Sequence, residues 1–228
     1  MQLAWIRLAA AFMVLYGHMF GIRGECEKLL GCPFGVRIEQ LGVCIFFFIS
    51  GFVVSQSWMR DAHVVGFLAR RALRLLPGLA VSVVLTVVVI GPIATTLPLA
   101  AYFASPRTLD YLRWATLVQQ SFLLPGVFET NHLHVVNGSL WSLPLEAMCY
   151  VAVATLGVLK MLKRYVGAGL LFIAIAAPGL LGSVYLMSVI ACFVAGAFVF
   201  LAWGHVVAVP PRMPAIGDLS YSVSPQSG

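Results

Sequence analysis

The stretch EQLGVCIFFFISGFVVSQSW, residues 39–58, decides the fold class, because only one of its residues is charged. A helix of about 20 mostly apolar residues crosses a hydrocarbon core about 30 Å thick. Five further segments are similarly apolar, so we predict an all-α, polytopic transmembrane helical bundle. The six predicted spans are 3–22, 39–58, 75–97, 139–159, 165–180 and 183–203.

Composition excludes two other classes of protein. The chain has 228 residues, of which 61% are hydrophobic and 10% are charged. Soluble globular domains carry about 25% charged residues, and a disordered chain could not leave so much apolar surface unburied. The net charge is +6. Its basic residues form small groups between apolar runs, without the continuous basic face that nucleic-acid binding needs.

The distribution of basic residues predicts the orientation in the membrane. With six spans and the N-terminus inside, nine basic residues lie inside and five outside, which is the bias expected of cytoplasmic loops. If the segment YLRWATLVQQSFLL, residues 111–124, also crossed, the group Lys160, Lys163 and Arg164 would move outside and the bias would reverse. We therefore predict a re-entrant or interfacial helix at 111–124. The expected location is a bacterial cytoplasmic (inner) membrane, with the N-terminus inside.

Two ionisable residues share one face of the first predicted span. Arg7 and His18 are eleven residues apart, which is close to three helical turns and about 16 Å. An ionisable group inside a span usually faces the bundle interior or a water-filled cavity, so His18 is a candidate functional residue. The alternative is a structural hydrogen bond to a neighbouring helix.

Three arginines form a second candidate site. Arg70, Arg71 and Arg74 lie in FLARRALRLLP, residues 67–77, just before the third predicted span. Their spacings of three and four residues let guanidinium groups converge on one anion, and phosphate suits their planar donors. The alternative is a topology signal, because basic residues flank spans on the cytoplasmic side without binding a ligand.

The segment NGSLWSLPLEAMCY, residues 137–150, brings Glu146 into the fourth predicted span. A carboxylate at this depth should be protonated or paired. Glu146 and His18 are predicted to lie at similar depth, where they could form a base and its orienting partner. Structural pairing of the two is the alternative. Trp141 fits an interfacial belt position as well as a substrate contact.

Taken together and in this order, these motifs resemble the membrane-bound acyltransferase family 3. The further motif is LGVCIFFFISGF, residues 41–52, and the resemblance runs from Arg7 to Tyr221. It implies an integral membrane enzyme that moves an acyl group, often acetyl, from coenzyme A to a hydroxyl of a carbohydrate or similar acceptor. His18 and Glu146 are then the candidate catalytic residues. The candidate substrate-binding residues are Arg7, Arg70, Arg71, Arg74, Asn137, Trp141 and Ser142.

Two features depart from the family pattern. Cys44 stands where an acidic residue is expected after the glycine-valine pair. The family usually has about ten spans, whereas IGDLSYS, residues 216–222, resembles the start of a later span. We therefore expect residues 1–228 to form a single acyltransferase-like domain that lacks the family's last spans.

The expected mechanism uses acyl-CoA as a co-substrate and no permanently bound cofactor or metal. Cytoplasmic arginines hold its phosphates, His18 deprotonates the acceptor hydroxyl, and Glu146 orients the histidine. A transporter or flippase of a lipid-linked compound is the principal alternative, although the internal symmetry typical of such folds is not visible. A catalytically inactive, truncated relative is the second alternative.

The cysteines carry one further prediction. Cys44, Cys149 and Cys192 lie in apolar runs, where a buried thiol is the usual interpretation. Cys26 and Cys32 lie together in the predicted outer loop GECEKLLGCPFG, residues 24–35. Its glycines and proline favour a turn that could bring both into disulfide range, and free thiols are the alternative.

Overall fold

The computed structural model describes residues 2–25, 37–117, 121–129, 131, 134–162 and 184–203. These residues are predominantly helical and form no β-sheet. The longer helices are α1 (Gln2–Arg23), α2 (Ile38–Arg60), α3 (Val64–Leu85), α4 (Leu99–Ala104), α5 (Pro106–Arg113), α6 (Ser142–Val158) and α7 (Val184–Trp203). The π-helical turn Thr86–Ile90 and the α-helical turn Gly91–Ala94 continue α3, and 3₁₀ turns cover Trp114–Thr116 and Gly138–Trp141.

The all-α transmembrane bundle predicted from the sequence is confirmed. Four described helices are long and apolar enough to cross a membrane: Leu3–Arg23, Ile38–Arg60, Val64–Ala94 and Gly138–Val158. The apolar helix Leu186–Ala202 is shorter and lies within the sixth predicted span. The fifth predicted span, 165–180, falls outside the described residues.

Glycines let the helices pack closely on α2. A Cβ atom on Gly51 would collide with the Phe193 carbonyl, and one on Gly196 would collide with the Phe48 carbonyl. This small-residue contact is typical of helix pairs in membranes. Phe52 and Phe200 extend it with ring centroids 5.4 Å apart. The order of these contacts shows that α2 and α7 run in the same direction.

Helix α1 packs on α2 in the opposite direction. A Cβ on Gly42 would lie 2.7 Å from the Ala10 carbonyl oxygen, and one on Gly17 would collide with the side chain of Glu39. The end of α1 therefore lies beside the start of α2, and the N-terminal half of α1 lies beside residues nearer the middle of α2. This register fixes the depth of Arg7 and His18 relative to every residue on α2.

Two apolar clusters hold the described residues together. The bundle cluster joins α2, α3, α6 and α7 and includes Phe47, Trp58, Phe67, Val153 and Phe193. The cap cluster joins the second half of α3 to residues 99–136. Its members are Leu79, Val83, Val87, Tyr102, Tyr111, Trp114, Leu124, Val127 and Val136.

Hydroxyl groups tie the cap cluster to the backbone. Tyr102 donates to the Val87 carbonyl at 3.1 Å, within the π-helical turn, and Tyr111 donates to the Val136 carbonyl at 3.2 Å. Burial raises the pKa of the Tyr111 phenol to about 12. The group therefore remains a hydrogen-bond donor at neutral pH.

The structure changes two sequence-based boundaries. The third helix begins at Val64 rather than at residue 75, so the three arginines lie inside it. The helix predicted at 111–124 begins instead at Pro106, whose ring favours the first helical turn, and gives way to a 3₁₀ turn that ends at Leu117. Leu117 adopts a left-handed conformation with φ of 62°. Tyr111 and Trp114 are buried in the cap cluster, which accounts for the apolar pattern of this segment.

Candidate active site

A cavity of about 310 Å³ lies between α1, α2, α3 and the start of α6. Apolar side chains, among them Val14, Phe46 and Leu143, form part of its wall. Its polar lining residues are Arg7, Ser50, Arg74, Ser139, Ser142 and Glu146. Four sequence-predicted site residues, Arg7, Arg74, Ser142 and Glu146, are thus brought to one place.

Glu146 is held by two hydroxyl groups. Ser50 Oγ on α2 donates to Glu146 Oε1 at 2.8 Å. The Tyr150 hydroxyl donates to the same oxygen, because residues four apart on α6 share a helix face. Sequence reasoning did not single out either donor. The i, i+4 spacing of Glu146 and Tyr150 was visible in the sequence, whereas the contact with Ser50 depends on how α2 and α6 pack.

Two arginines face Glu146 across the cavity. Arg7 is half-buried and Arg74 lies at the exposed edge. Arg7 lies within Coulombic range of both the Glu146 carboxylate and Arg74, yet neither arginine forms an ion pair with Glu146 among the described residues. Arg7 Nε is buried and has no hydrogen-bond partner among the described residues. The cavity therefore separates one anionic group from two cationic groups.

The arginine cluster does not converge on one point. Arg70 forms an ion pair with Asp61 at 2.9 Å at the exposed start of α3. The Arg71 guanidinium lies 5.7 Å from the centroids of both the Phe67 and Tyr150 rings, and the residue is 8% exposed. Of the three, only Arg74 lines the cavity. The three guanidinium groups therefore have different environments.

His18 lies away from Glu146, which differs from the expected pairing. Its Nδ1 lies 2.8 Å from the carbonyl oxygen of Val14 and donates to it. Glu39, beside Gly17, and Ser50, beside Glu146, are eleven residues apart on α2, which corresponds to about 16 Å. Glu146 therefore lies near the depth of Arg7, and the expected contact of Glu146 with His18 is not formed.

The histidine is nevertheless close to one end of the cavity. Val14 lines the cavity, and His18 lies one helical turn beyond Val14 on the same face of α1. With a proton on Nδ1, the neutral ring has its free lone pair on Nε2. This tautomer is the one that can accept a proton from a hydroxyl group.

Asn137 joins the cap to α3 instead of lining the cavity. Its Nδ2 donates to Thr86 Oγ1 at the start of the π-helical turn, and its backbone is left-handed with φ of 55°. Thr86 Oγ1 in turn donates to the Ser82 carbonyl at 2.8 Å. Trp141 is half-buried and packs against the bundle cluster. Only Ser142 of these three predicted substrate-binding residues reaches the cavity.

The remaining sequence predictions concern thiols and metals. Cys44, Cys149 and Cys192 are free cysteines, whereas Cys26 and Cys32 lie outside the described residues. Across the part of the chain that the structure describes, no three His, Cys, Asp or Glu residues are grouped to hold a metal ion.

The fold and the cavity define a polytopic membrane protein with an ionisable site between its helices. The family model described as an acyltransferase domain, family 3, matches residues 2–222. The chain belongs to this acyltransferase family.

Two curated relatives are similar to this chain. It is 35% identical over 182 residues to an O-acetyl transferase of Shigella phage Sf6, which covers 78% of this chain and 51% of the relative. It is 30% identical over 181 residues to nodulation protein 10 of Rhizobium leguminosarum bv. viciae, which covers 76% of this chain and 48% of the relative. The chain thus spans about half the length of the curated relatives it matches. No solved structure matches the chain significantly.

Proposed function

We propose that this protein acts in acyl transfer from acyl-CoA, with acetyl as the acyl group, to a hydroxyl of a carbohydrate or similar acceptor. The observation that carries the proposal is the cavity in which Arg7 and Arg74 face Glu146 between membrane helices. Membership of the acyltransferase family supports the reaction type. The name of the phage relative, O-acetyl transferase, supports an oxygen acceptor and an acetyl group.

The proposed binding mode places acyl-CoA along the inner face of α1. Arg74 lies at the exposed edge of the cavity, where it is positioned to bind a phosphate oxygen. Arg7 lies deeper inside, where it is positioned to donate to a hydrogen-bond-accepting group of acyl-CoA. The extended pantetheine arm then follows Arg7, Val14 and His18 over about 16 Å. Glu146 offsets one of the two guanidinium charges and accepts a hydrogen bond from the bound substrate.

The proposed reaction begins with the acceptor hydroxyl beside His18. Its oxygen forms a bond with the acyl carbon while its proton passes to Nε2 of His18. The carbon-sulfur bond then breaks, and the departing thiolate of coenzyme A takes that proton. Because the hydrogen bond to Val14 fixes the Nδ1–H tautomer, His18 needs no carboxylate partner to present Nε2.

We also propose that the protein resides in a bacterial inner membrane with its N-terminus inside. The surplus of basic residues in the loops assigned to the inner side supports this orientation. Acyl-CoA is a cytoplasmic compound, so in this orientation it would reach the cavity from the side at which α3 begins. The N-terminus and the exposed Arg70 would then lie on the same side.

The test is acetyl-CoA binding and transfer by the full chain in nanodiscs. Titration should give saturable binding, and Arg74→Ala should weaken it about 10- to 100-fold through the loss of a charge-assisted hydrogen bond. Arg113→Ala is the matched control, since Arg113 is exposed on α5 and pairs with Asp110 at 2.7 Å. No binding by the parent chain, or equal weakening by both substitutions, would overturn the proposal.

A further inference from the structure

Glu146 receives both of its hydrogen bonds on one oxygen. Ser50 Oγ and the Tyr150 hydroxyl donate to Oε1, while Oε2 has no hydrogen-bond or ion-pair partner among the described residues. Oε2 also keeps some accessible surface, because Glu146 is not among the described residues that have a fully buried polar atom without a partner. Because Glu146 lines the cavity, its accessible oxygen is the one that a bound molecule can reach.

The two donors come from different helices and are themselves held in place. Ser50 is 7% exposed on α2, and Tyr150 is 3% exposed on α6. The Tyr150 ring lies against the Arg71 guanidinium, which also packs on Phe67 of α3. A carboxylate bound by two fixed hydroxyl groups has little freedom to rotate about its terminal bond. Ser50 and Glu146 in the cavity wall, with Tyr150 and Arg71 behind it, therefore connect α2, α3 and α6.

We propose that Ser50 and Tyr150 are positioning residues that hold Glu146 with Oε2 directed into the cavity. Arg71 supports this arrangement by fixing the Tyr150 ring, so it acts behind the cavity and does not bind phosphate. The expected effect on catalysis rests on the proposed function. The hydrogen bonds themselves can be tested without any substrate.

The geometry predicts how hydroxyl deletions affect activity. Ser50→Ala and Tyr150→Phe each remove one donor to a charged group, which should lower kcat/KM for acetyl transfer by about 10- to 100-fold. In a Glu146→Gln background, the same two substitutions should have less than about 3-fold effect, because the carboxylate that they position is gone. A role in general stability would instead give the same loss in both backgrounds.

Two matched controls isolate the effect of these donors. Ser55→Ala removes a fully buried hydroxyl from the same helix, and Ser55 Oγ has no partner among the described residues. Tyr111→Phe removes a buried phenol that bonds Val136 in the cap cluster, away from the cavity. Both controls should keep kcat/KM within about 3-fold of the parent when activity is expressed per folded molecule. A loss in Ser55→Ala as large as that in Ser50→Ala would overturn the proposal.

Infrared spectroscopy of the full chain in nanodiscs supplies the readout that is independent of activity. The carboxyl band of Glu146, assigned by subtracting the Glu146→Gln spectrum, should shift in Ser50→Ala and in Tyr150→Phe and stay unchanged in Ser55→Ala. Unchanged bands in both hydroxyl deletions would overturn the positioning role. Shifted bands in a chain that neither binds nor transfers acetyl groups would retain the two hydrogen bonds and reject the proposed function.

Discussion

The two ends of α1 carry similar residue types in different environments. Near its beginning, Arg7 faces a cavity that also contains Arg74 and Glu146. Near its end, His18 bonds the carbonyl of its own helix, and neighbouring Gly17 packs directly on Glu39. The first environment leaves space for a ligand. At the second, α1 and α2 are in direct contact at Gly17, and His18, on the adjoining face of α1, is half-buried near one end of the cavity. Helical spacing aligned Arg7 with His18 but did not show that their surroundings differ.

The difference arises from the antiparallel packing of α1 and α2. Glu39, at the start of α2, is 6% exposed and forms an ion pair with Arg37. Ser50 lies three turns further along α2, where it meets Glu146. Each end of α1 therefore meets a different carboxylate of the bundle. In the proposed mechanism, the Arg7 end binds acyl-CoA and the His18 end transfers the proton.

The largest expected effect is on acyl transfer at the His18 end. His18→Ala should lower transfer about 10²- to 10⁴-fold, the usual contribution of a general base. Membrane insertion should stay intact, which fractionation of the expressing cells would show. His134→Ala serves as control, because His134 is exposed near the cap cluster and bonds the Phe128 carbonyl. Unchanged acylation by the His18 variant would remove the distinction between the two ends of the helix.

The close contact of Gly17 with Glu39, next to His18, gives the next prediction. Gly17→Ala introduces a methyl group that would lie 2.8 Å from the Glu39 backbone nitrogen and collide with its side chain. Overpacking of this kind should destabilise the protein by about 1–3 kcal/mol, measured by denaturation in detergent. Gly78→Ala is the matched control on α3, where no atom of the described residues lies within 4 Å of the added Cβ. Equal stability of the two variants would mean that this interface is open.

At the cavity end, Arg71 should differ from Arg74. Arg71→Met preserves much of the buried volume but removes two cation-π contacts, which should cost about 1–2 kcal/mol of stability. Acetyl-CoA affinity should stay within about 3-fold of the parent, because Arg71 lies behind the cavity wall. Titration and thermal unfolding of the same sample separate these effects. A large loss of affinity at unchanged stability would place Arg71 among the phosphate ligands.

The smallest expected effect is on stability and comes from Asn137, which connects the cap cluster to α3 and does not line the cavity. Asn137→Gly keeps the left-handed backbone accessible and removes the hydrogen bond to Thr86, so it should cost about 0.5–1.5 kcal/mol. Asn137→Ala should cost more, because alanine is strained at this φ of 55°. Thermal unfolding of the pair checks the order. If Asn137→Gly were instead to reduce acceptor affinity at full stability, Asn137 would be a substrate contact.

The sequence predicted the helical membrane fold because apolar length directly reflects the thickness of the bilayer. It also singled out Arg7 and Glu146 as ionisable groups within predicted spans, and Arg74 as part of a basic cluster, and all three line the cavity. It did not predict that Ser50 bonds Glu146, because this contact depends on helix register and on which faces of α2 and α6 meet. The helix expected at 111–124 was misplaced for a related reason. Its apolar residues pack into the cap cluster, and sequence periodicity alone does not distinguish a protein core from a lipid interface.

The central claim is that Arg74 binds acyl-CoA whereas His18 transfers the proton. Titrating both variants, His18→Ala and Arg74→Ala, with acetyl-CoA tests this claim most directly. Calorimetry on the full chain in nanodiscs would measure both dissociation constants against the parent. We predict that His18→Ala keeps the parent affinity within about 3-fold while transfer is lost, and that Arg74→Ala binds about 10- to 100-fold more weakly. Weakened binding in His18→Ala with unchanged binding in Arg74→Ala would contradict the assignment of the two ends of α1.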